Sequence, residues 1–103
     1  MNPRILYYCH NLYGLGHIRR SMRLAEASAE LGAECRILTG CRSLGALSVD
    51  ERVGLEKLPA LELGADHLFH EAGYPDRTDV MERRAGMIRD AVQRFAPDFF
   101  FVD

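Results

Sequence analysis

The stretch Gly14-Leu15-Gly16-His17-Ile18-Arg19-Arg20 puts two glycines, a histidine and two arginines between an apolar run and a helical pattern. Each residue type has a defined capacity there. Gly14 and Gly16 permit positive φ and close backbone approach to a ligand, and the free amides that open a helix bind an anion such as phosphate. His17 has a side chain of the type that takes a proton near neutral pH. Arginines at a helix start oppose the helix dipole unless an anion compensates them. Either Arg19 and Arg20 face a negative ligand, or they point into water and the glycines only make a tight turn.

Two familiar phosphate-binding loops do not fit. A P-loop needs Lys and Ser/Thr after its last glycine, where His17-Ile18 stand. A dinucleotide fingerprint needs a third glycine at Arg19 and an acidic residue after the second strand, where Thr39-Gly40 stand. Gly-x-Gly-His remains, with the histidine in the first helical turn.

The surrounding pattern supplies elements to position this loop. Arg4–Cys9 is continuously apolar, as in a strand buried on both faces of a parallel sheet. Ile18, Met22, Ala25, Ala29 and Leu31 recur at helical spacing and predict a helix over 17–31, stopped at Gly32. Glu34–Thr39 reads as a second strand, which completes a βαβ unit. Residues 43–49 suggest a short helix, and Leu55–Leu58 a weak third strand closed by Pro59. No period holds from Ala60 to Arg77, so a loop is expected there. Asp79 and Glu82 have capping-box spacing, and Met81, Ala85, Ile88, Val92 and Phe95 predict a second long helix. After Pro97, Asp98–Asp103 is a fourth, strongly apolar strand. The expected architecture is α/β, a Rossmann-like three-layer parallel sheet over residues 1–103. In such sheets ligands lie beyond the carboxyl ends of the strands. His10, at the end of the first strand, and Asp103, at the end of the fourth, join Gly14, Gly16, Arg19 and Arg20 as candidate binding residues.

Composition narrows the function classes. The chain has 103 residues, 48% hydrophobic and 27% charged, with a net charge of −2. That suits one small soluble domain and gives no basic field for nucleic acid. The apolar runs are far shorter than the ~20 residues of a membrane span, and the start lacks a signal-peptide pattern, so a cytoplasmic location is expected. Cys9, Cys35 and Cys41 are odd in number, with no C-x-x-C pair, and read as reduced, buried thiols. His67 and His70, near Asp66 and Glu71, lack a spaced third ligand, and no metal site is expected. A three-phenylalanine strand at an open sheet edge is an aggregation hazard. It implies either that the chain is the opening part of a longer protein or that two copies associate through that edge.

"ILYYCHNLYGLGHIRRSMRLAEASAELGAECRILTG" and "FAPDFFFVD" resemble the first strand, glycine loop, first helix and later Pro-Asp strand of GT-B glycosyltransferases. The bacterial N-acetylglucosaminyltransferases of peptidoglycan lipid synthesis are among them. Asn11, Leu12 and Tyr13 replace glycines common in those enzymes. The form Gly-His-x-x-Arg is closer to a branch of predicted glycosyltransferases and to the sugar-nucleotide hydrolases of nonulosonic acid synthesis. The resemblance leaves about residues 41–77 unmatched. It implies the first part of an N-terminal Rossmann-like domain, with a nucleotide-diphosphate sugar, UDP-linked in the family's manner, as donor and an acceptor of unknown identity. It further implies no cofactor, His17 as the base, and a donor-binding C-terminal domain outside this chain. A nucleotide-sugar hydrolase on the same fold is one alternative. A non-catalytic α/β binding domain is another, although Cys9-His10-Asn11 lacks the acidic cluster of a response regulator.

Overall fold

The computed structural model describes residues 2–10, 15–42, 48–74 and 76–103. Gly14 and most of the short helix expected over 43–49 lie outside these residues. Strand β1 (Arg4–Cys9) leads into helix α1 (Gly16–Glu30), strand β2 (Glu34–Thr39) and strand β3 (Val53–Lys57). Strands β4 (Leu61–Leu63) and β5 (Phe69–Glu71) follow, then helix α2 (Val80–Phe95) and strand β6 (Phe99–Val102). The main sheet is parallel throughout, in the order β3-β2-β1-β6. The chain first winds from β1 outward to β3, then returns through α2 to the other side of β1. That reversal of winding direction makes the β1–β6 junction a topological switch point.

Strand alternation divides the core in two. On one face of the sheet Tyr7, Cys9, Cys35, Ile37 and Val53 pack against Ile18, Met22 and Ala25 of α1. On the other face Leu6, Leu38 and Leu58 pack against Ala91 and Phe95 of α2. The sheet is thus the middle layer of three. Helix α1 ends where Gly32 takes a left-handed φ of 98°, a conformation open to glycine, and Leu31 beside it is exposed rather than part of the apolar stripe. Helix α2 ends at Ala96, also left-handed, and Pro97 prevents its continuation. The cysteines are unpaired and buried. Among the described residues, no helix is long and apolar enough to cross a membrane.

Three further expectations change. The third strand begins at Val53, two residues ahead of Leu55. The expected loop contains a hairpin: Leu61, Glu62 and Leu63 of β4 pair antiparallel with Glu71, His70 and Phe69 of β5. Its three-residue strands are too short to establish an alternating period. In the second helix Met81 is exposed and the buried positions are Val80, Arg84, Ala91 and Phe95. Ile88, Val92 and Phe95 pack against the core as predicted, whereas in the first turns Val80 and Arg84 take the buried positions in place of Met81 and Ala85.

The packing of this helix has a measurable consequence. Phe95 is 1% exposed and lies beneath the guanidinium groups of Arg4 and Arg36. Phe95→Ala is expected to cost about 3–5 kcal/mol in urea unfolding. Met81→Ala is expected to stay within about 0.5 kcal/mol of wild type. Equal losses at the two positions would contradict the packing.

Candidate functional site

The β1–β6 junction gathers side chains from three elements. The ladder between the two strands continues past β6, with Asp103 N–H donating to the Tyr8 carbonyl at 2.9 Å and His10 N–H donating to the Asp103 carbonyl at 3.4 Å. Parallel register sets Tyr8 opposite Val102, so Asp103 follows at the carboxyl end and turns its side chain toward α1. Leu15 is the N-cap of α1 and, among the described residues, no side chain caps the helix, which also has no acidic residue in its first turn. The amides of this opening turn face the same end of the sheet as Asp103.

Arg20 resolves the electrostatic oddity of a helix that starts with positive charge. Its Nη2 donates to Asp103 Oδ1 at 2.8 Å and its Nε to Oδ2 at 3.4 Å. Arg20 Nη2 also donates to His17 Nδ1 at 2.9 Å, and that ring nitrogen is 3.5 Å from Asp103 Oδ1. Ser21 Oγ donates to Asp103 Oδ2 at 3.4 Å. His17, Arg20 and Ser21 sit three and four residues apart on one helix face, the spacing that lets them share a carboxylate. The Arg20 guanidinium holds the Asp103 carboxyl below the usual range, against a smaller opposing effect of burial.

Arg19 does not join them. One helical step turns it toward a separate cleft of 230 Å³ lined by Met22, Arg23, Glu26 and Ser48. Of the other expected residues, Gly16 is the first of α1, and a Cβ there would meet nothing within 4 Å. Gly16 therefore adds an accessible amide rather than a cramped approach. His10 stands beside the cluster. Burial, then the charges of Arg84 and His17, push its imidazole below the ordinary histidine value.

Sequence reasoning missed Ser21, Tyr8 and Arg84. The i, i+4 spacing from His17 to Ser21 was a usable signal. Arg84 had none, because a charge within an apolar stripe reads as a solvent-facing position. Near the cluster, a cleft of 150 Å³ is lined by Tyr7, Leu24 and Phe101 together with Arg20 and Asp103. A larger groove of 440 Å³ lies elsewhere, among Arg42, Lys57, Pro59, Glu71 and Arg83. The smaller cleft shares Arg20, Ser21 and Asp103 with the cluster, whereas the larger groove shares none of its residues. In the hairpin, Asp66 pairs with His70, and Glu71 with Arg77 and Arg83. Among the described residues no three His, Cys, Asp or Glu side chains converge as a metal-binding group. No protein-family model, curated protein or solved structure matches the chain.

A carboxyl held below its ordinary value stabilises the fold above that value, and the contribution disappears as pH falls toward the depressed one. In Arg20→Gln, the NMR titration midpoint of the Asp103 carboxyl is expected to rise toward the ordinary value of about 3.9. An unchanged midpoint would contradict the pairing.

Proposed function

We propose that this chain carries the acceptor-side part of a GT-B glycosyltransferase, in which His17 takes the proton of the acceptor hydroxyl. The observation that carries the reading is the approach of His17 Nδ1 to Asp103 at the sheet's switch point. For Nε2 to accept a proton, Nδ1 must hold its own and present it to Asp103. With Arg20 donating to Nδ1, the ring proton of neutral His17 is instead on Nε2. An anionic ligand that draws Arg20 away frees Nδ1 to turn to the carboxylate. The departing diphosphate of a nucleotide sugar is such an anion, and the open amides of α1 offer it further donors.

The reaction then follows. The acceptor oxygen attacks the anomeric carbon as its proton passes to His17 Nε2. The bond to the diphosphate breaks, and the leaving group takes the electron pair. Asp103 stabilises the imidazolium, and Arg20 offsets the leaving charge. The reading requires no metal or cofactor from these residues. It expects a second Rossmann-like half to hold most of the donor, a cytoplasmic location, and a covering for the exposed β6 edge, by further strands or a second copy. A hydrolase is the second reading, since the Gly16-His17-x-x-Arg20 form is common to both and Arg20 is the arginine that reaches His17 and Asp103. There the same base activates water.

In the full-length protein, His17→Ala is expected to lower turnover of a nucleotide-sugar panel by ~10²–10⁴-fold, with binding little changed. Asp103→Asn should also lower it. Sugar release without an acceptor selects hydrolysis; release only with an acceptor selects transfer. Wild-type turnover in His17→Ala would overturn both readings.

A further inference from the structure

Arg84 is 1% exposed, although it lies on a helix of a small protein. Burying a guanidinium is costly unless its donors are used. Its Nη1 donates to the Pro59 carbonyl at 2.7 Å and its Nη2 to the Tyr8 hydroxyl at 2.9 Å, while Nε is buried without a partner. Among the described residues no carboxylate pairs with it. The fold makes room for this charge at Gly40, where a Cβ would stand 2.3 Å from Arg84 Nη1 and 3.0 Å from the Pro59 carbonyl oxygen. Any side chain there would push the guanidinium from its place.

The charge has a direction. Tyr8 lies on β1 facing α2, and its hydroxyl is 2.9 Å from Nδ1 of His10, the residue that closes β1. A hydroxyl that accepts from Arg84 keeps its own proton free to donate. We propose that Arg84 is a positioning residue which, through Tyr8, fixes His10 as a neutral ring accepting at Nδ1, so that Nε2 carries the proton at the carboxyl end of the sheet. His10 thereby presents a hydrogen-bond donor to an oxygen-bearing ligand at this end of the sheet. Tyr8 of β1 hydrogen-bonds the His10 ring, the charges of Arg84 on α2 and His17 on α1 act on it, and the Asp103 carbonyl holds its backbone. The lowered His10 value, caused by burial and by the Arg84 and His17 charges, agrees with the neutral ring. The inference concerns the imidazole itself and stands apart from the sugar-transfer reading.

Long-range ¹H–¹⁵N correlation spectra of the full chain report the tautomer and titration of His10 directly. Wild type is expected to show the Nε2–H tautomer and a midpoint below that of an ordinary histidine. Tyr8→Phe should shift His10 toward mixed tautomers. Arg84→Met should raise its midpoint, and Arg84→Lys, which restores charge, should bring it back down. Because loss of a buried guanidinium can unfold the sheet, Tyr8→Phe provides a test that leaves Arg84 in place. A wild-type Nδ1–H tautomer, or a tautomer unchanged in Tyr8→Phe, would overturn the proposal. So would an unchanged midpoint in folded Arg84→Met, which would leave Arg84 as a clamp on Pro59 alone.

Discussion

The register of β6 against β1 is the constraint on which the crevice depends. Side chains alternate between the two faces of the sheet, so a slip of one residue would send Asp103 to the α2 face, away from His17 and Arg20. Several contacts pin that register. Asp98 accepts from the Arg4 backbone through its carboxylate and donates its own N–H to the Arg4 carbonyl, which fixes the start of β6. Phe101 stacks on Tyr7 with ring centroids 5.6 Å apart, which fixes its middle. Tyr7 is in turn tied to α1 through Ser28. The same aromatic contact that aligns the strand therefore also spaces α1 from β6, and with it the distance from Arg20 to Asp103.

Charge is organised around β1 on both faces. On the α1 side, one carboxylate gathers an arginine, a histidine and a serine at a helix start whose dipole favours the carboxylate. The α2 side holds Arg84, which pairs with no carboxylate among the described residues and donates instead to the Tyr8 hydroxyl and the Pro59 carbonyl. The exposed pair is sensitive to salt and to competing anions, whereas the buried guanidinium is screened little. One arrangement can yield to a ligand and the other holds its neighbour in a single state. This contrast follows from burial rather than from residue type, since both are arginines.

Much of this was legible in the sequence because the relevant patterns are local. Arg4–Cys9 and Glu34–Thr39 form strands over the predicted spans, and α1 differs from its predicted bounds by one residue at each end. His17, Arg20 and Asp103 were each nameable from type and place, and the fold brings them together. That Asp103 is the common partner of the other two was not legible, because it depends on which strand lies next to β1. Arg19 illustrates the limit: it is chemically equivalent to Arg20, but one helical step separates the cleft from the neighbouring groove. Arg84 illustrates another, since its burial depends on Gly40, Pro59 and Tyr8, which come from three distant segments. The hairpin of β4 and β5 escaped detection because three-residue strands held by His67 in a left-handed turn carry no usable period.

The central claim is that ligand chemistry occurs at the switch point and not in the larger basic groove. Amide chemical-shift mapping of the full-length protein during titration with UDP-sugars tests it most directly. The account predicts coincident, saturable shifts at Gly16, His17, Ile18 and Asp103. Shifts confined to Arg42, Lys57 and Arg83, with the α1 start unmoved, would contradict it.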